Sequence, residues 1–150
     1  MSDASDPYDL RRFVDAQARV FEQVRAELRE GRKRSHWMWF VFPQVAGLGH
    51  SVMARRYAIS SREEAEAYLR HPVLGPRLRE CARLVSLVKG RSIGQIFGAP
   101  DDMKFRSSMT LFARSTADNA VFEEALRKYF EGKPDPATLE RLQGPRLEER

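Results

Sequence analysis

His36-Trp37-Met38-Trp39-Phe40-Val41-Phe42-Pro43-Gln44 is the stretch on which the fold class turns. Residues 37–42 are few and uniformly apolar, so periodicity alone leaves two readings open, a buried strand or a helical turn. No other segment alternates with period two between hairpin turns. Everything around the run is punctuated as helix, which favours an all-α fold, a single compact domain of about six to eight helices. That domain spans residues 1–150, with residues 1–6 and 145–150 expected to fray.

On the N-terminal side, Asp6-Pro7-Tyr8-Asp9 reads as a helix start with Asp6 as N-cap and Pro7 at the first helical position. Leu10, Phe13, Val14, Gln17, Phe21, Val24 and Leu28 then recur at three- and four-residue spacing, and Gly31 supplies the stop, predicting one long helix. Gln17 is the one polar member of the stripe. It is either a buried amide holding another segment in place or a group facing a pocket.

On the C-terminal side, Ser61-Arg62-Glu63-Glu64 has capping-box spacing and His71-Pro72 ends the helix it opens. The next helix places Leu74, Leu78, Cys81, Val85 and Val88 on one face and stops at Gly90. A helix from Asp101 or Asp102 aligns Phe105, Met109 and Phe112, and another follows Asp118 with Val121, Phe122, Ala125, Leu126 and Tyr129 inward, ending at Gly132. Asp135-Pro136 starts a short terminal helix.

The 150 residues, 42% hydrophobic, suffice for one core. Roughly 70% of the extended chain's surface would be buried at this length. Charged residues, 31% of the chain, are mixed in sign, as on a folded surface. The net charge of +5 and pI near 9.7 permit contact with phosphates without requiring it. Arg32-Lys33-Arg34 and Arg55-Arg56 are short enough to be ordinary solvated surface, and no aromatic-interleaved basic segment marks an RNA-binding module, so nucleic acid is not the expected partner.

Cys81 is the only cysteine, which excludes an internal disulfide and a multi-thiolate metal site; on its apolar stripe it reads as a small buried hydrophobe. His36, His50 and His71 form no HxxxH or HxH pair, and no GxSxG, GxxxxGK[ST] or GxGxxG motif occurs, so neither a metal nor a cofactor is expected. The N-terminus lacks a signal-peptide pattern and no apolar run approaches the ~18 residues that span a bilayer. A cytoplasmic location without a membrane partner is the expectation.

Taken in order, His36-Trp37-Met38-Trp39-Phe40-x-Phe42-Pro43-Gln44, Gly47-Leu48-Gly49, Tyr57-Ala58-Ile59, Tyr68-Leu69-x-His71-Pro72-x-Leu74-Gly75, Phe97-Gly98 and Lys104-Phe105-x-Ser107-Ser108-Met109-Thr110-Leu111-Phe112 carry a resemblance. The chain resembles, over about residues 8–143, a bacterial and fungal domain-of-unknown-function family whose members sometimes bear the label "calpastatin". The resemblance implies a small, mainly helical intracellular protein. It brings no activity with it. Calpastatin-type protease inhibition uses disordered segments, whereas this chain is patterned to fold.

The chemistry must therefore be read locally. Lys104, Ser107 and Ser108 stand at i, i+3 and i+4, one cation and two hydroxyls on one helical face, suited to an anion or, as small residues, to helix packing. His36 and His71 are each a general acid or base or else a capping or buried histidine. Trp37, Trp39, Phe40 and Tyr57 are stacking surfaces for a base or sugar ring, or an aromatic core.

These residues, with Gln44, predict an aromatic-lined pocket for a small anionic, nucleotide-like ligand, in which one of Trp37 and Trp39 is buried and the other lines the cleft. Were it an enzyme, His36 or His71 would transfer the proton, Lys104 stabilise charge and Ser107 or Ser108 orient an ADP-ribose-related substrate. The rival reading is a protein-interaction module with Trp37, Trp39 and Phe40 as an exposed patch. Burial separates the two.

Overall fold

The computed structural model describes the backbone of residues 6–148 and the side chains of residues 6–143. Among the described residues ten helical segments follow one another: α1 (Arg11–Ala18), α2 (Phe21–Glu30), α3 (Met38–Val41), α4 (Val52–Arg56), α5 (Arg62–Arg70), α6 (Leu74–Leu87), α7 (Ile93–Phe97), α8 (Asp101–Ala113), α9 (Ala120–Phe130) and α10 (Pro136–Glu148). Among the described residues there is no strand, only an isolated parallel bridge between Val45 and Ile59. The ambiguous run is thus a helical turn, α3, with Phe42 leaving it and Pro43 behind.

The long helix expected from Pro7 to Gly31 is broken twice. Asp6 does accept N–H groups, from Leu10 at 2.8 Å and Arg11 at 3.1 Å, but Asp9 turns left-handed at φ 52° and the helix begins only at Arg11. It is interrupted again at Val20, φ −125° and ψ 0°, so Phe13 and Gln17 of α1 and Phe21, Val24 and Leu28 of α2 are buried by helices with separate axes. Gly31 ends α2 at φ 75° as expected. Ser61 caps α5 through Glu64 N–H at 3.1 Å, while the Glu64 carboxylate turns back one residue further, to Ser60.

Helix α8 is the axis of the molecule and packs against α5, α7, α9 and α10. From Ser107 to Ala113 every residue is buried, the pattern of a helix enclosed on all sides. Two of its hydroxyls, those of Ser107 and Thr110, have structural work. Asp135 caps α10 by accepting Thr138 N–H at 3.2 Å and Thr138 Oγ1 at 2.6 Å, and its own N–H donates to Thr110 Oγ1 at 2.8 Å while Ser107 Oγ donates to Asp135 Oδ2 at 2.9 Å. Ser107 and Thr110 are the socket that seats α10. Of the positions expected to fray, residues 1–5 and 149–150 lie outside those described.

Aromatic rings join the layers. Phe42 meets Phe105 edge-on at 5.0 Å, Phe97 stacks on Phe105 at 5.0 Å, and Phe13, Tyr68, Phe112 and Phe122 form a second chain of contacts. Gln17 is the buried amide of the first reading: its Nε2 donates to the Phe40 carbonyl at 2.7 Å and to Tyr68 OH at 3.2 Å, fastening α3 onto α1. Cys81 is fully enclosed, and burial pushes its thiol up to about 12, so it packs as a hydrophobe.

The α5–α6 corner is set by His71 and Gly75. His71 Nδ1 accepts N–H bonds from Val73 at 3.1 Å and Leu74 at 3.3 Å, and a Cβ on Gly75 would stand 2.1 Å from the Leu69 carbonyl oxygen. That neighbour is backbone and cannot swing aside. Gly75→Ala should therefore cost about 2 kcal/mol, and a urea midpoint indistinguishable from the parent's would show that the corner opens freely.

Candidate functional site

A cleft of about 280 Å³ opens between α3, the 44–50 segment, α4 and the first turn of α8. The floor is apolar, with Met38, Phe42 and Val45, and Trp39, Gln44, His50, Arg55, Tyr57 and Lys104 stand around it. Pro43 ends the α3 turn, after which Gln44 C=O accepts Ile59 N–H at 2.9 Å and Ala46 N–H donates to Ile59 C=O at 2.8 Å. Those two bonds close the loop carrying the cleft. Within it Ser51 caps α4 through Ala54 N–H at 3.1 Å, and Gly47 takes a φ of 98° that only glycine adopts readily.

The far wall is held from beneath by Arg12. Its guanidinium donates to the carbonyls of Arg56 at 2.9 Å, Ala58 at 2.9 Å, Tyr8 at 2.6 Å and Asp9 at 2.9 Å, and to Glu64 at 3.0 Å. Glu64 in turn accepts Ser60 N–H at 2.8 Å and Ser60 Oγ at 2.7 Å. Tyr57, on the segment so fixed, is wedged between Phe13 and Phe40 with centroids at 5.7 and 5.4 Å.

The near wall rests on Glu27, which is 2% exposed. Its carboxylate accepts Arg34 N–H at 2.9 Å, Ser35 N–H at 3.2 Å, Ser35 Oγ at 2.5 Å, Gln23 Nε2 at 3.0 Å and Trp37 Nε1 at 2.9 Å. Burial pushes this carboxyl up, but the donors from Ser35, Arg34, Trp37 and Gln23 outweigh it and hold it near 2, below the ordinary 4.5. Trp37 is thereby locked in the core at 1% exposure, two residues from Trp39, which is half-buried and lines the cleft. The two tryptophans differ as their spacing predicted.

Of the residues singled out from sequence, Trp39, Gln44, Tyr57 and Lys104 come together in this cleft. Trp37 and Phe40 lie behind it as core, because Trp37 follows its indole N–H to Glu27 and Phe40 packs on Tyr57. His36 is exposed and outside the lining. His71, its Nδ1 occupied by the α6 cap, sits at a separate groove beside α1 with Arg70 and Tyr8. Ser107 faces Asp135. Ser108 is fully enclosed and its Oγ has no partner, so Ser108→Ala should leave the melting temperature unchanged or slightly raised; a loss above about 1 kcal/mol would reveal a hidden role for the hydroxyl.

His50 and Arg55 complete the lining and were not foreseen as site residues. Gly47-Leu48-Gly49-His50-Ser51 hinted at a pocket wall, and Arg55 is exposed, as its reading as solvated surface expects, but stands at the cleft's edge. Charge in the cleft is one-sided: Lys104 and Arg55 stand on its wall, and no carboxylate does among the described lining residues. Asp101, the acid nearest Lys104, approaches it only to 3.8 Å and pairs at 3.0 Å with Lys33. Lys104 thus shares that carboxylate with Lys33 and has the longer of the two contacts. No helix among the described residues is long and apolar enough to cross a membrane.

A family described as "Protein of unknown function (DUF1810)" matches residues 7–142. The crystal structure of the conserved hypothetical protein Rv1873 from Mycobacterium tuberculosis is similar at 61% identity and a TM-score of 0.91, over 91% of this chain and 98% of that one. No curated protein matches the chain. Several of the motifs quoted above now have physical roles: His71 and Gly75 shape the α5–α6 corner, Ser107 and Thr110 seat α10, and Trp39 and Gln44 face the cleft. With the match running over nearly its whole length, the chain belongs to the DUF1810 family of proteins of unknown function.

Proposed function

We propose that the cleft binds a small anionic, nucleotide-like ligand, with Trp39 as the stacking face, Gln44 as the polar group meeting a ring edge and Lys104 as the charge partner. The observation that carries this reading is the meeting of Trp39 and Lys104 in one apolar-floored cleft without a lining carboxylate. A cleft of about 280 Å³ suits a mononucleotide. An ADP-ribose-related ligand would leave one of its two sugar-phosphate halves outside. Of the enzymatic roles, those of His36, His71 and Ser107 gain no support, since none of these side chains lines the cleft. The exposed-patch alternative loses Trp37 and Phe40 to the core, which weighs for a ligand cleft over a protein-binding face.

A thermal-shift screen across nucleotides and phosphorylated metabolites should find stabilising ligands. Lys104→Met, which keeps the aliphatic stem and removes the cation, should weaken the best of them by about ten- to a hundredfold. Binding should survive a chelator. A tight ligand indifferent to Lys104→Met, or lost on adding EDTA alone, would put the positive charge elsewhere.

A further inference from the structure

We infer that the ligand's anionic end is a terminal phosphate monoester, a dianion, received jointly by Arg55, Lys104 and the ring N–H of His50. This deepens the reading above and rests on it. Three different elements deliver these groups to one cleft: α4 brings Arg55, the glycine-flanked loop brings His50 and the first turn of α8 brings Lys104. Each comes from an anchored element. Ser51 caps α4 and the Val45–Ile59 bridge closes the loop at its base, while α8 is the central helix of the fold.

The count of charge selects the ligand class. Asp101 is shared between Lys33 at 3.0 Å and Lys104 at 3.8 Å, so those three groups keep one net positive charge and Arg55 adds a second. Arg55 and His50 are exposed at the cleft's rim and Lys104 is half-buried beside the apolar floor of Met38, Phe42 and Val45. A monoanion such as a phosphodiester would leave one cation unmatched there, whereas a phosphate monoester carries close to two negative charges and three acceptor oxygens at neutral pH. Arginine adds a planar fork that meets two phosphate oxygens at once, and lysine a point charge for a third. The aromatic end of the ligand then falls to Trp39.

The test is calorimetric titration of the full chain with AMP and UMP, each set against its nucleoside and its 3′,5′-cyclic diester, and with ribose 5-phosphate. The expected result is that a monophosphate binds at least tenfold tighter than its cyclic form, and that Arg55→Met and Lys104→Met, checked for an unchanged melting temperature, each remove that margin. Equal affinity for monophosphate and cyclic diester overturns the dianion site and leaves the nucleotide reading intact. Ribose 5-phosphate binding as tightly as AMP, with the same dependence on Arg55 and Lys104, upholds the phosphate site and removes the stacking role of Trp39. Absence of binding by every one of these probes overturns both readings.

Discussion

Glu27→Gln is expected to lower stability at pH 7 by about 3 kcal/mol and to reduce the acid sensitivity of folding. The Glu27 carboxyl is held near 2 in the folded protein against an ordinary 4.5. A carboxyl whose folded value is depressed binds its proton more readily in the unfolded chain. Its contribution is therefore complete above about pH 4.5 and is lost as pH falls toward 2. The amide introduced by the substitution cannot ionise, and its NH2 would face donors that now meet an oxygen: Trp37 Nε1, the Arg34 and Ser35 N–H groups, or Ser35 Oγ and Gln23 on the other side. Urea unfolding of both proteins at pH 7, 5 and 3 checks this. If parent and variant lose the same stability between pH 5 and pH 3, the carboxylate is not the hub that the five donors imply.

How much of this was legible beforehand divides by the range of the interaction. Gly31 as a stop, Ser61 as a cap, Asp135-Pro136 as a start and the 105–109–112 stripe are local signals, decided by the residue and its next few neighbours, and all stand in the structure. The break between α1 and α2 was invisible because the apolar spacing of Phe13, Gln17, Phe21 and Val24 continues through it; only packing against α3 and α6 sets the two helices apart. At the candidate site, Trp39 and Lys104 could be named from their chemistry, since an indole beside a core and a lysine on an apolar helix are conspicuous.

His50 and Arg55 could not be named that way, because their role depends on a bridge between residues 45 and 59 that leaves no periodic trace. The place of Ser107 away from the cleft was hidden for a related reason. A hydroxyl on a helix signals unmet hydrogen bonding, and the partner of Ser107 lay 28 residues away at Asp135 rather than in a ligand.

The largest effect expected of any single change at the cleft belongs to a residue that does not line it. Arg12→Met should cost about 3–5 kcal/mol, because it removes one member of a buried ion pair and leaves Glu64, 3% exposed at its side chain, without its cation. It also strips the donors from the Arg56 and Ala58 carbonyls. Those carbonyls flank Tyr57, so the loss reaches the cleft wall through the backbone as well as the core through Glu64. Arg12→Lys separates the two effects: a lysine can restore the charge beside Glu64 but cannot span Glu64 and the carbonyls of Arg56, Ala58, Tyr8 and Asp9 with one planar fork. The lysine variant should accordingly recover part of the stability while remaining weak for any nucleotide the parent binds. Urea midpoints of the three proteins measure the first effect and titration with that nucleotide the second. An Arg12→Met protein within about 1 kcal/mol of the parent would mean that water replaces the guanidinium at all five acceptors, and that the 56–60 segment holds its course without it.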